Sequence, residues 1–128
     1  MITIINASAF LSKEGGSSTL TPEDCQKYLA QYVSSKIRLW AYKCSLSRLV
    51  LRIDRPANEG LPPIGLVFVA LSDIRCPVHW VLGSFEIHSD PKSQKTRFVV
   101  RKADVSVLAS DLTIVVQDEY PNKVWELE

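Results

Sequence analysis

The chain has 128 residues, and its 15 lysines and arginines against 14 aspartates and glutamates give a formal net charge of +1 at pH 7. A chain of this length fits one domain with its own core, so we predict a single domain over residues 1–128. The balanced charge excludes a strongly basic or acidic molecule, so recognition of nucleic acid or of a membrane would need a local patch.

The cysteines and the apolar runs indicate the cellular compartment of the protein. The sequence has three widely spaced cysteines, Cys25, Cys44 and Cys76. An odd number at this spacing fits free thiols in a reducing compartment better than a disulfide framework. No run approaches the roughly 18 uninterrupted apolar residues that span a membrane, and the first residues lack the basic start of a signal peptide. We therefore predict a cytoplasmic protein without a membrane-spanning segment.

The first predicted elements are a short strand and a helix. Residues 3–10 indicate the strand, and the connector KEGGSS at 13–18 separates it from the rest, so we expect residues 1–20 to attach loosely. Thr21 and Pro22 are typical of a helix start. Apolar side chains then follow at helical spacing on one face, and they are Cys25, Tyr28, Leu29, Tyr32 and Val33.

Residues 37–53 carry two period-2 patterns in succession, which predict a β-hairpin. One face of this hairpin is aliphatic and needs a core. The other face holds arginines and aromatic residues, namely Arg38, Trp40, Tyr42, Arg48 and Arg52. The prediction requires the helix to end at Ser34 and Ser35. In the alternative, one helix continues to Lys43 and the second face does not exist.

The rest of the chain alternates turn and strand signals. The proline-rich run at 54–63 predicts a surface loop, and residues 64–71 are apolar on both faces, as in a central strand. Later strands are expected at 78–88 with a bend at Gly83, at 96–102, at 105–109 (or a helical turn) and at 112–117. We predict an α+β fold in which one N-terminal helix packs on a curled, mainly antiparallel sheet of five or six strands.

Metal binding and catalysis find little support in the sequence. Cys76 and His79 have a spacing that suits zinc, but a structural zinc site normally has two such pairs and the sequence offers one. We therefore predict no cofactor and no catalytic residue, and we keep Cys76 and His79 as a weak metal candidate. Whether the protein is an enzyme stays open, with a non-catalytic role favoured.

The arginine and aromatic face of the hairpin leads to a functional prediction. We expect a small intracellular, non-catalytic binding or regulatory domain that contacts a protein partner or a second copy of itself through this face. The same residue types suit single-stranded nucleic acid, but the acidic segment from Asp104 onward can pair with the basic strands, so nucleic acid is not the predicted partner.

The alternative prediction is a ligand-binding or enzymatic domain with a pocket between helix and sheet. Its lining would be polar and aromatic, and it comprises Tyr28, Tyr32, Glu86 and His88. The sequence does not identify the partner, the ligand or the oligomeric state.

Overall fold

A computed structural model describes residues 2–6, 18–58, 60–90 and 92–117. Within them, one α-helix, α1 (Pro22–Ala30), accompanies an open, mixed sheet of nine strands. The strands are β1 (Ile2–Asn6), β2 (Ser18–Leu20), β3 (Lys36–Lys43), β4 (Arg48–Ile53), β5 (Ile64–Arg75), β6 (His79–Val81), β7 (Glu86–Asp90), β8 (Lys95–Val100) and β9 (Val105–Val116). A 3-10 turn at Cys44–Leu46 joins β3 to β4.

Strands β5 and β9 form the centre of the sheet, where they pair antiparallel over almost their whole length. β4, β3 and β6 follow on one side of β5. On the other side, the first half of β9 pairs with β8, which pairs with β7, and the second half of β9 pairs with β1 in the parallel direction. β2 pairs only with β1 among the described strands.

The sheet curls strongly on itself. A path of hydrogen-bonded neighbours runs from β6 through β3, β4, β5, β9 and β8 to β7, yet residues 82–85 alone separate β6 from β7 in the chain. The two ends of the path must therefore lie close together. The register shift between Leu71 and Asp73, next to Ala70 in the left-handed region (φ 57°), supplies one bend.

The main core lies inside this curl, under the helix. The buried residues of α1 and the turn after it are Cys25, Leu29 and Tyr32, which belong to the predicted stripe. Val33 is exposed instead, because the helix ends at Ala30 and the last predicted position falls in the turn. Thr21 caps the helix as predicted, since its Oγ1 accepts a hydrogen bond from the Asp24 N–H at 3.1 Å. Burial raises the pKa of the Cys25 thiol to about 12, so Cys25 is a core residue in its neutral form.

Gln26 joins the helix to the sheet beside β7. Its side-chain Nε2 donates to the Phe85 carbonyl at 2.6 Å, and its Oε1 accepts from the Ile87 N–H at 3.1 Å. One side chain thus satisfies two backbone groups at the strand edge that α1 covers. The described part of the chain contains no helix long and apolar enough to cross a membrane.

Replacing Gln26 with alanine is expected to lower the free energy of unfolding by about 1–3 kcal/mol, because two backbone groups under the helix lose their partner. Urea denaturation measures this. The matched control is Gln31→Ala, whose side-chain Nε2 donates to the Tyr28 carbonyl at the exposed helix end, so a change within about 0.5 kcal/mol is expected. Equal losses in the two variants would contradict the role of Gln26.

The sheet differs from the prediction in strand number, direction and order. It has nine strands rather than five or six, β1 runs parallel to β9, and two strands precede the predicted N-terminal helix. The predicted strand at 78–88 is two strands at opposite ends of the hydrogen-bonded path, and those at 105–109 and 112–117 are one strand, β9. The reason is that alternation of apolar and polar residues along the chain predicts a strand but does not identify the strand that pairs with it.

Other predicted elements correspond to the structure more closely. Residues 36–43 are a strand rather than a helical extension, and the hairpin is β3 with β4. The central strand begins at Ile64 as predicted and continues to Arg75. Of residues 1–20, those at 2–6 and 18–20 pair in the sheet, and residues 13–17 of the connector lie outside the described residues.

Candidate binding site at the edge of the sheet

The outer face of the sheet carries a second apolar cluster, separate from the main core. Its buried members are three valines, Val50, Val67 and Val115. All its members are strand residues, and the partly buried ones are Ile5, Ala41 and Val69. Val50 lies between Leu49 and Leu51 of the main core, so it points to the opposite face of β4.

Two arginines and a tryptophan lie on this outer face beside the valines. Arg38 and Arg52 are cross-strand partners on β3 and β4. Their guanidinium carbons lie 4.9 and 4.4 Å from the centroid of the Trp40 ring, within the range of cation–π contacts. The indole is 39% exposed. The two cations and the ring therefore form one stacked group, in which the indole and Arg38 are exposed to solvent.

Asp54 holds both arginines in place from the end of β4. Its Oδ2 lies 2.6 Å from Arg38 Nε, and its Oδ1 lies 2.7 Å from Arg52 Nη2. Arg52 is only 6% exposed, and this burial lowers the pKa of its guanidinium while the Asp54 carboxylate acts in the opposite direction. Because arginine stays charged at neutral pH, the ion pair fixes a nearly buried cation. We call Arg38, Trp40, Arg52 and Asp54 the arginine cluster.

A pocket of about 670 Å³ opens beside the arginine cluster, and we call it the edge pocket. It lies between β3, the short edge strand β6 and the first residues after β4. Three of its lining residues are cations and one is a carboxylate, and the lining comprises Lys36, Ile37, Arg38, Asp54, Arg55, His79, Trp80 and Val81. A volume of this size is within the range of small-ligand sites.

Four of the five predicted interface residues share the outer face, and Tyr42 does not. Arg48 lies opposite Val69 of the outer cluster, so it joins Arg38, Trp40 and Arg52 on that face. A register shift between Leu39 and Ala41 inserts Trp40 as an extra residue. Tyr42 then lies opposite Leu49 of the main core, on the other side of the sheet. The uninterrupted alternation assumed for this strand was wrong at this point.

The structure does not bring the four residues of the alternative pocket together. Tyr32 is fully buried, its hydroxyl donates to the Pro62 carbonyl at 2.8 Å, and burial raises the pKa of that hydroxyl. Tyr28 packs beside it, with ring centroids 5.9 Å apart. Glu86 and His88 lie instead on the exposed side of β7, where Glu86 pairs with Arg101 at 3.0 Å. The tyrosines fill the core, and the other two belong to a solvated strand face.

The weak metal candidate acquires no further ligand in the described residues. Cys76 Sγ donates to the Pro77 carbonyl at 3.2 Å, and burial raises the pKa of this thiol, which disfavours the thiolate that zinc requires. His79 lines the edge pocket. Across the ranges that the structure describes, no three His, Cys, Asp or Glu side chains gather as a metal site would need.

Lys36 and Arg55 were not predicted as site residues, and His79 was predicted only as a weak metal candidate with Cys76. Lys36 and Arg55 carried a signal, since both belong to the basic residues in and around the hairpin. Nothing in the sequence indicated that His79 would lie beside these cations, because the pairing of β6 with β3 joins segments about 40 residues apart.

No protein-family model, no curated protein and no solved structure matches this chain. The geometry of the edge pocket and the arginine cluster is therefore the basis for the functional proposal.

Proposed function

We propose that this chain is a small, intracellular, non-catalytic binding domain that contacts an acidic protein partner through the arginine cluster and the edge of β6. The observation that carries the proposal is the Arg38–Trp40–Arg52 stack, fixed by Asp54 and set beside the edge of β6, with which no described strand other than β3 pairs. The three free cysteines suit a reducing compartment.

The arginine cluster has the properties of an energetic centre in a protein interface. Tryptophan and arginine are among the residue types that contribute most to such interfaces. Here both arginines are already ordered by one carboxylate, at 2.6 and 2.7 Å, before any partner arrives. Binding a partner therefore costs less free energy for ordering these long side chains than it would if both arginines moved freely beforehand.

The edge of β6 offers backbone groups to an extended partner. The Leu39 N–H donates to the Val78 carbonyl and the Leu82 N–H to the Ser35 carbonyl, so Trp80 is the β6 residue whose backbone faces β3. The backbone groups of His79 and Val81 then point outward. An added strand would pair with them, and main-chain hydrogen bonds of this kind give affinity in many peptide complexes.

Exposed apolar side chains accompany this open edge. Val78 and Val81 are 69% and 52% exposed. Open strand edges with apolar side chains favour pairing with another chain.

Charge favours an acidic partner over a second copy of the chain. In a two-fold symmetric contact the same patch would meet itself, and the cations of Lys36, Arg38 and Arg55 would approach their own counterparts. An acidic extended segment would instead meet them with opposite charge, which improves both association rate and specificity. Self-association through this patch is thus the less favoured form of the same proposal.

The double variant Arg38→Ala/Trp40→Ala tests the proposal. An extended peptide selected from a random library against the native chain provides the probe, and isothermal titration calorimetry measures its affinity. We expect selected peptides to be acidic, and the variant to bind them about 30-fold or more weakly, as loss of a central interface residue does.

The matched control is Arg75→Ala/Tyr42→Ala, which also removes one exposed arginine and one exposed aromatic ring but away from the arginine cluster. Its affinity should stay within about threefold of the native chain. Native affinity in the Arg38→Ala/Trp40→Ala variant, with unchanged circular dichroism and melting temperature, would refute the proposal. Selected peptides without acidic residues would refute the acidic partner.

A further inference from the structure

The edge pocket holds more positive charge than its one acid can balance. Three lining cations against the Asp54 carboxylate leave a formal charge of +2. Asp54 is already engaged by Arg38 and Arg52. Among the described residues, no acid lies within ion-pair distance of Lys36 or Arg55, which leaves both cations available to a bound anion.

The cations of the pocket come from β3 and from the residues that follow β4. Lys36 and Arg38 are two residues apart on β3, so they lie on the same face of the strand. Arg55 enters from the residues after β4, and His79 is the cross-strand neighbour of Arg38 on β6. Donors that converge from a sheet and an adjoining loop surround a ligand better than a row along one strand can.

We infer that the edge pocket binds a phosphate monoester. Such a group carries a charge of about −1.5 to −2 at pH 7, which matches the excess charge of the pocket. Arginine and lysine are the side chains that recognise phosphate oxygens through charge-assisted hydrogen bonds, and a histidine N–H adds another donor. Val81, which pairs with Lys36 across the strands and is 52% exposed, can contact the carbon portion of an ester.

This inference shares Lys36, Arg38 and Arg55 with the proposed peptide contact, but it does not require an extended segment to pair with β6. A pocket for a phosphate monoester serves a phosphorylated side chain on a protein partner and a free small-molecule ester equally well, since both present the same dianion. A phosphate monoester would bind in the edge pocket of the chain alone, without an extended segment on β6. A failure of one proposal therefore leaves the other open to its own test.

Amide NMR titration of the full chain at constant ionic strength tests the inference. The probes are N-acetyl-O-phosphoserine amide, glucose 6-phosphate and inorganic phosphate. We expect saturable shifts at the amides of residues 36–38, 54–55 and 79–81. Tighter binding of the phosphoserine compound would assign the site to a modified side chain. Tighter binding of the sugar phosphate would assign it to a free ester. Both results support binding of a phosphate monoester.

Two charge-matched double variants decide whether the pocket is responsible. Lys36→Gln/Arg55→Gln should weaken the tightest probe by about tenfold or more, because two charge-assisted contacts are lost. Lys27→Gln/Lys102→Gln removes the same charge from exposed positions outside the pocket and should change the affinity less than about twofold. Equal weakening in both variants would overturn the inference. It would also be overturned by absent shifts around the pocket at millimolar probe, or by inorganic phosphate binding as tightly as both esters.

Discussion

Replacing Phe98 with alanine is expected to lower the free energy of unfolding by about 3–5 kcal/mol, a large share of the stability of a domain of this size. Phe98 is fully buried on β8. Its ring centroid lies 5.9 Å from that of Phe68, 6.0 Å from that of Phe85 and 6.4 Å from that of Trp80. These contacts join β8 to the centre of the sheet and to β6 at the far end of the curl.

The Phe98→Ala variant therefore tests the curled shape of the sheet. Guanidinium denaturation gives the free energy, and Phe98→Leu, which keeps most of the apolar volume, should lose less than about 2 kcal/mol. Tyr42→Ala, at an exposed ring, should lose less than about 1 kcal/mol. A loss below about 1 kcal/mol for Phe98→Ala would mean that the three rings do not meet around it.

Replacing Asp54 with alanine is expected to cost about 2–3 kcal/mol of stability and to weaken peptide binding as well. The reason is that Arg52, whose side chain is 7% exposed, would lose the carboxylate beside its guanidinium. Removing one partner of a fully buried ion pair costs about 3–5 kcal/mol. The Asp54 side chain is 31% exposed, so water offsets part of that cost.

A second carboxylate provides the control for this prediction. Asp104 pairs with Arg75 at 3.3 Å, and both side chains are largely exposed. Asp104→Ala should therefore change stability by less than about 1 kcal/mol, as exposed ion pairs do. If thermal and urea denaturation give the same loss for Asp54→Ala and Asp104→Ala, Asp54 does not organise the arginine cluster.

Local sequence patterns correctly predicted those features that depend on residues close together along the chain. The cap at Thr21 and the buried stripe from Cys25 to Tyr32 follow from helical spacing and capping chemistry. The hairpin of β3 and β4 follows from alternation, and it placed Arg38 and Arg52 on one face as the structure does. Trp40 was assigned to that face as well, although it reaches it through a bulge.

Features that depend on pairing between distant segments could not be predicted from local sequence patterns. The parallel pairing of β1 with β9 joins Ile2 to Leu112, and no local pattern encodes it. The separation of β6 from β7 likewise depends on which strands they meet. For the same reason the sequence placed His79 with Cys76 as possible ligands, whereas the fold places His79 beside Lys36 and Arg38 in the edge pocket.

Hydrogen exchange at the edge of β6 is the most direct test of the proposed binding mode. In the free protein, the outward amides of His79 and Val81 should exchange rapidly. With a saturating acidic peptide, both amides should exchange about tenfold or more slowly, because an added strand accepts their hydrogen bonds. A saturated complex in which these two amides exchange as fast as in the free protein, while other amides become protected, would contradict the proposal.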